Sequence, residues 1–160
     1  MKLKQMNKIR KSINGFTLVE LVIVMGILAF VITGMVRLYI YTSVQAEMAG
    51  NKTQALSEAQ NIIEEIRRHT YSLITTDYAS GGTPGNTFSV SPLTGSGVIY
   101  IDSSNAELLQ VKAVVCWRNK YNRVIGEDQD LDGTLDAGED QNGNGQIDSP
   151  VSLITLITRK

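Results

Sequence analysis

Cysteine and histidine are nearly missing from this chain: Cys116 and His69 are the only copies of each. A single cysteine excludes an intramolecular disulfide. Its run, Val114-Val-Cys-Trp117, reads as a buried strand, where a thiol acts as a small hydrophobe. His69 falls on a predicted helix among charges, where a solvated face is expected rather than a catalytic base. No nucleophile, base and orienting acid stand at recognisable spacing, so the residues point away from an enzyme. Proline is scarce, with three copies, and none lies between residues 42 and 73. The Gly-rich stretch 81–97 lacks both a Gly-Lys-Ser/Thr ending and a preceding strand, which excludes a phosphate-cradling loop. Lys and Arg are missing altogether from residues 127–149, which hold eight of the sixteen acidic side chains: Glu127, Asp128, Asp130, Asp132, Asp136, Glu139, Asp140 and Asp148.

Charge and apolar character are instead segregated at the N-terminus. A basic leader (Lys2, Lys4, Lys8, Arg10, Lys11) precedes Gly15, and an apolar run from Leu21 to Val36 follows. An ordinary secretory signal places its apolar region before the cut; here the order is inverted. Residues 16–41 are long enough for a helix to cross a hydrocarbon layer of about 30 Å. Glu20 lies inside that segment, where a carboxylate costs on the order of 2.5–3.5 kcal/mol at a helix centre. A partner for the charge is expected, and a new amine at Phe16, made by cutting after Gly15, would be one. Arg37 lies near the outer end, where it can snorkel. Tyr39 and Tyr41 suit the interfacial belt. The basic end is expected to stay cytoplasmic, with the rest of the chain outside. Losing the leader leaves a chain of net charge about −6, which argues against nucleic-acid binding.

The residues Gly15, Phe16, Thr17, Leu18, Val19 and Glu20, with the basic leader and apolar helix, resemble the start of the type IV pilin superfamily: pilins, type II secretion pseudopilins and their minor subunits. The resemblance implies that a prepilin peptidase cuts after Gly15 and methylates Phe16. It also implies that Glu20 pairs with the Phe16 amine of a neighbouring subunit in a filament. It covers about the first third of the chain. Residues 57–67, the strand ending at Trp117 and the closing residues 153–158 are similar to minor subunits. The lone Cys116 departs from disulfide-looped major pilins. A minor pilus subunit is therefore expected, with a minor pseudopilin of type II secretion as the alternative. A calcium-dependent envelope-anchored binding module is an alternative of another class, but it would have no need of Glu20.

The rest of the chain is expected to form one α+β domain, residues 42–160. One long helix is predicted over residues 16–72. Ala55, Ala59, Ile62, Ile66 and Leu73 form its apolar stripe, and Glu64–Arg68 and Glu65–His69 pair on its exposed face. An antiparallel sheet should cover that stripe. Its strands are predicted near residues 88–90, at 98–101, at 108–117 with Val111, Ala113, Val115 and Trp117 on one face, at 121–125, and at 151–158.

The acidic insert, residues 127–149, matches a calcium-loop pattern. Asp128, Asp130 and Asp132 take positions one, three and five. Gly133 makes the turn, Thr134 offers its carbonyl, Asp136 acts directly or through water, and Glu139 closes the loop. Leu135 is apolar where such loops tuck a side chain inward. A second copy begins twelve residues later with Asp140, Asn142, Asn144, Gln146 and Asp148 as candidate ligands, but Val151 stands where the closing glutamate belongs. That loop should bind more weakly or borrow a ligand from the first. Calcium is the expected ion, because the donors are hard oxygens, and the insert is expected to be a rigid knob closing the last hairpin when loaded.

Overall fold

The computed structural model of the protein describes residues 15–105 and 107–159. The leader residues before Gly15 lie outside this range. The chain falls into two compact units, split between Val44 and Gln45.

The first unit consists of the opening of α1 (Leu18–Arg68). Thr17 starts the helix: its hydroxyl accepts from the Glu20 N–H at 3.2 Å and its carbonyl accepts from Leu21 N–H at 3.2 Å. Gly15, Phe16 and Thr17 lie outside the helix. The side chains that follow are apolar all round and exposed on every side, from Phe16 to Tyr41. A helix of this kind has no inner face within one chain. Among the described residues, α1 alone is long and apolar enough to cross a membrane.

In the second unit, residues 45–68 of α1 are amphipathic. Ala55, Ala59, Ile63 and Ile66 are buried along one face. They pack on the sheet in two clusters. Ala55, Ala59 and Ile63 meet Val90, Ala113, Val115, Trp117 and Val151. Ile66 joins Ile74, Tyr78, Ile99, Leu109 and Val111. Burial of each larger aliphatic side chain contributes about 1.5–3 kcal/mol.

The predicted helix to residue 72 is corrected by a break. α1 ends at Arg68, and α2 (Tyr71–Asp77) starts again after Thr70. The new start changes the helical phase, so Ile74 is buried while Leu73 is 46% exposed. Upstream, Ile63 is buried and Ile62 only partly so. The expected pairs also change. Glu64 bonds Arg67 at 2.7 Å instead of Arg68, and Glu65 accepts from the Tyr78 hydroxyl. His69 is half-buried, with Nε2 2.7 Å from Asp77 Oδ2 across the break. A turn that brings Asp77 back to His69 outcompetes the pair along the helix.

The sheet has five antiparallel strands: β1 (Thr87–Ser89), β2 (Gly95–Asn105), β3 (Leu108–Arg118), β4 (Val124–Ile125) and β5 (Ser152–Thr158). β3 is central. β2 pairs along one side of it, with Val98 opposite Val114. β4 pairs with its end, at Trp117 and Arg118, and β5 with residues 108–114. Alternation sends Leu109, Val111, Ala113, Val115 and Trp117 toward the helices. The expected hairpin between the last two strands is corrected here, since β4 and β5 both pair with β3. The insert between them lies over the other sheet face. There Val98, Val114, Cys116 and Ile147 form a third cluster with Tyr100, Leu131 and Leu135.

Candidate functional site

At the N-terminus, Gly15 and Phe16 sit in non-helical backbone directly before the Thr17 cap, so the bond between them is not locked into a helical turn. Glu20 is exposed, and no hydrogen bond or ion pair engages its carboxylate among the described residues. Thr17 is a residue the sequence reading passed over as a cap. The Thr-Leu-Val-Glu spacing of a capping box was the available signal.

The acidic insert is built from short-range caps, and the two loops repeat them bond for bond. Asp128 Oδ1 accepts from the N–H groups of Leu131 (2.7 Å) and Asp132 (3.2 Å), and Oδ2 accepts from Gly133 at 3.0 Å. Twelve residues on, Asp140 Oδ1 accepts from Gly143 (2.7 Å) and Asn144 (3.1 Å), and Oδ2 from Gly145 at 2.9 Å. Asp130 caps Asp132 and Asp132 caps Thr134; Asn142 caps Asn144 and Asn144 caps Gln146. Gly133 and Gly145 both adopt a left-handed backbone, at φ +81° and +73°, which favours glycine. Leu135 and Ile147 occupy equivalent positions and point into the cluster beneath.

The loops differ in their surroundings. Asp128 is fully buried and also accepts from the Ser96 hydroxyl on β2, whereas Asp140 lies nearer the surface. In the first loop, carboxylate oxygens of Asp128, Asp130 and Glu139 lie within 4.8 Å of one another, as do those of Asp130, Asp132 and Asp136. Crowding by Asp132 first, then slight desolvation and Asp130, pushes the Asp136 carboxyl above the usual range. Asp132 is held low by the Thr134 hydroxyl and N–H. In the second loop, Asp148 is tied to cationic and neutral donors instead. Lys112 Nζ donates to it at 2.9 Å, and the Asn142 and Asn144 amides donate at 2.7 and 2.6 Å. Lys112 first, then Asn142, holds the Asp148 carboxyl below its ordinary range. Lys112 also bonds the Gln146 side chain at 3.1 Å and lies over the Tyr100 ring.

Each loop is closed by a glutamate, and one of the two was not among the sequence candidates. Glu139 closes the first: Oε1 accepts from Gln129 N–H at 2.7 Å, Oε2 accepts from Asp136 N–H at 3.0 Å, and its own N–H donates to the Asp136 carbonyl. In the second loop Val151 is a buried core residue on the helix side. The closing bonds come from Glu127: Oε1 accepts from Gln141 at 3.3 Å, Oε2 accepts from Asp148 at 3.0 Å, and its N–H donates to the Asp148 carbonyl. The signal was its position, one residue before Asp128 as Glu139 is one before Asp140.

Asp128, Glu127 and Glu139 are all buried, at 0, 9 and 7% exposure. Among the described residues none of the three pairs with Lys or Arg. Buried carboxylates without a counter-charge are costly. A cation among hard oxygen donors fits this arrangement, and the first loop offers the denser donor set. Cys116, under the insert, is buried, and burial pushes its thiol up to about 11; such a thiol is poorly nucleophilic.

Residues 10–36 match the prokaryotic N-terminal methylation motif. No curated protein matches the chain, and no solved structure does. The motif ties the free carboxylate of Glu20, the uncoiled Gly15–Phe16 bond and the all-apolar helix into one pattern. The chain thus carries the hallmark of the type IV pilin and pseudopilin family, on a long helix packed against a small antiparallel sheet.

Proposed function

We propose that this chain is a minor structural subunit of a type IV pilus-like filament. Prepilin peptidase removes residues 1–15, residues 16–41 anchor the chain in the inner membrane, and residues 42–160 face outward. Glu20 carries the reading. It lies in the opening stretch of α1, where the side chains around it are apolar on every side, and its carboxylate has no partner among the described residues. In hydrocarbon such a charge needs a counter-ion. The Phe16 amine freed by cleavage, presented by a neighbouring subunit, supplies one and fixes the stagger between stems. Because the lone anchor leaves this carboxylate unpaired in hydrocarbon and association pairs it, the contact favours assembly over the lone anchor.

The acidic insert is read as calcium-binding. Asp128, Asp130, Asp132, Thr134, Asp136 and Glu139 would hold one ion. Asp140, Asn142, Asn144, Gln146 and Asp148 form the second candidate site. An outward-facing domain meets enough calcium for a modest affinity, about 10⁻⁴–10⁻³ M, to suffice. The ion would neutralise the crowded carboxylates and stiffen a surface knob on the sheet. It has no catalytic part in this reading.

The test is Glu20→Leu expressed in cells that assemble filaments. It should insert in the membrane at the wild-type level and fail to enter sheared filaments. Normal incorporation removes the reading. For the ion, thermal unfolding of the processed chain in micelles should rise across millimolar calcium, and an unchanged midpoint removes calcium.

A further inference from the structure

We propose that the two loops of the insert are clasped crosswise, so that they gain and lose order as a single unit with Glu127 as its closing residue. The geometry carries this. Glu127 stands at the mouth of the first loop yet makes its side-chain bonds to Gln141 and Asp148 in the second. Glu139 stands at the mouth of the second loop yet makes its bonds to Gln129 and Asp136 in the first. Each Glu-Asp step, 127–128 and 139–140, therefore gives one carboxylate to each loop.

Neither loop can close without holding the start of the other. Releasing Glu127 frees the Gln141 and Asp148 amides and, one residue later, disturbs the buried Asp128 that organises Leu131, Asp132 and Gly133. Charge-assisted bonds of this kind are among the stronger ones in proteins. The apolar plugs reinforce the coupling, because Leu131 and Leu135 from one loop and Ile147 from the other share one cluster.

The clasp does not itself require a metal, but its calcium readout rests on the calcium reading above. The experiment is amide hydrogen exchange on the processed full-length chain in detergent micelles, during calcium titration and with chelator. In the wild type, peptides covering residues 128–138 and 140–149 should gain protection at one shared calcium midpoint. Glu127→Gln should speed exchange at least about tenfold in both peptides, not only the second. Glu139→Gln should do the same. Protection across β3 reports the rest of the fold in the same run. Should Glu127→Gln lose that as well, Glu127→Asp, which keeps the charge but shortens the reach, gives the comparison. Midpoints more than tenfold apart overturn the single unit. So does a Glu127 variant that loosens residues 140–149 and leaves 128–138 unchanged, or one that changes neither. Exchange that ignores calcium removes the ion reading alone, and the Glu127 comparison is then read in chelator.

Discussion

The two acidic loops share one backbone scaffold and opposite electrostatics. In the first, Asp130, Asp132 and Asp136 crowd one another at the surface above a buried Asp128. In the second, asparagines stand in place of two of those aspartates, and their amides bind the remaining Asp148 together with Lys112. The first loop is left with crowded carboxylates that meet no Lys or Arg among the described residues. In the second, Lys112 from β3 and the two asparagine amides meet the Asp148 charge. A twelve-residue cap pattern therefore sets where the backbone goes, while the side chains at its third, fifth and ninth positions set how much unpaired charge each loop carries.

The sharpest way to break this comparison is at the first residue of each loop. Asp128→Ala strands the Gly133 N–H and the Ser96 hydroxyl in a buried place and frees the partly buried N–H groups of Leu131 and Asp132. It should cost about 2–4 kcal/mol. Asp140→Ala removes the equivalent caps near solvent, where water replaces them, and should cost about 1 kcal/mol. Denaturant unfolding of the micelle-bound chain measures both. Equal costs would mean that burial does not distinguish the loops.

The next contrast is at the left-handed glycines. Gly133→Ala puts a Cβ 2.7 Å from the Thr87 Cγ2 as well as straining φ, whereas Gly145→Ala meets nothing within 4 Å. The strain common to both is about 1–2 kcal/mol. The first variant should therefore lose more stability than the second in the same unfolding assay. A smaller effect follows from Lys112→Met. The Lys112–Asp148 pair is partly exposed, so its loss should cost about 0.2–1 kcal/mol. That variant should also let the Asp148 carboxyl rise toward its ordinary value in a carboxyl titration followed by NMR.

The smallest expected effect is a divergence with pH in the calcium-free chain. The folded-state pKa of Asp136 is raised, so the unfolded chain holds that proton less readily. Its repulsion acts above the raised folded value and is relieved as pH falls toward the ordinary value of 3.8. The folded-state pKa of Asp148 is lowered. Its stabilisation is present above 3.8 and is lost as pH falls through the lower folded value. Local exchange from pH 6 downward should therefore show the first loop gaining protection before the second loses it. Asp136→Asn should flatten the first trend. Parallel curves for the two loops would contradict the electrostatic contrast.

Much of this architecture is legible along the chain because it depends on neighbours a few residues apart. The alternation of Val111, Ala113, Val115 and Trp117 predicts the face that packs on the helix. The spacing of Asp128, Asp130, Asp132 and Gly133 marks a loop with a sharp turn, and the caps that shape it reach only two to five residues ahead. Thr17 and Glu20 lie three residues apart for the same reason. Glu127 was not legible, because loop patterns are read forward from their first aspartate and its bonds reach fourteen and twenty-one residues along the chain. The break at His69 and Thr70 was hidden as well, since no Pro or Gly marks it and its reward is a through-space contact with Asp77.

By itself, then, the amino-acid order determined the processing motif, the oily stem with its single acid, the strand faces and the twelve-residue loop repeat. These are local choices of spacing and polarity. Only the tertiary structure decided that β4 and β5 both lean on β3, that Ser96 and Lys112 reach the insert, and that Glu127 closes the second loop. Such contacts join residues far apart in the chain, and they form only when burial of the shared apolar cluster offsets the entropy of bringing them together.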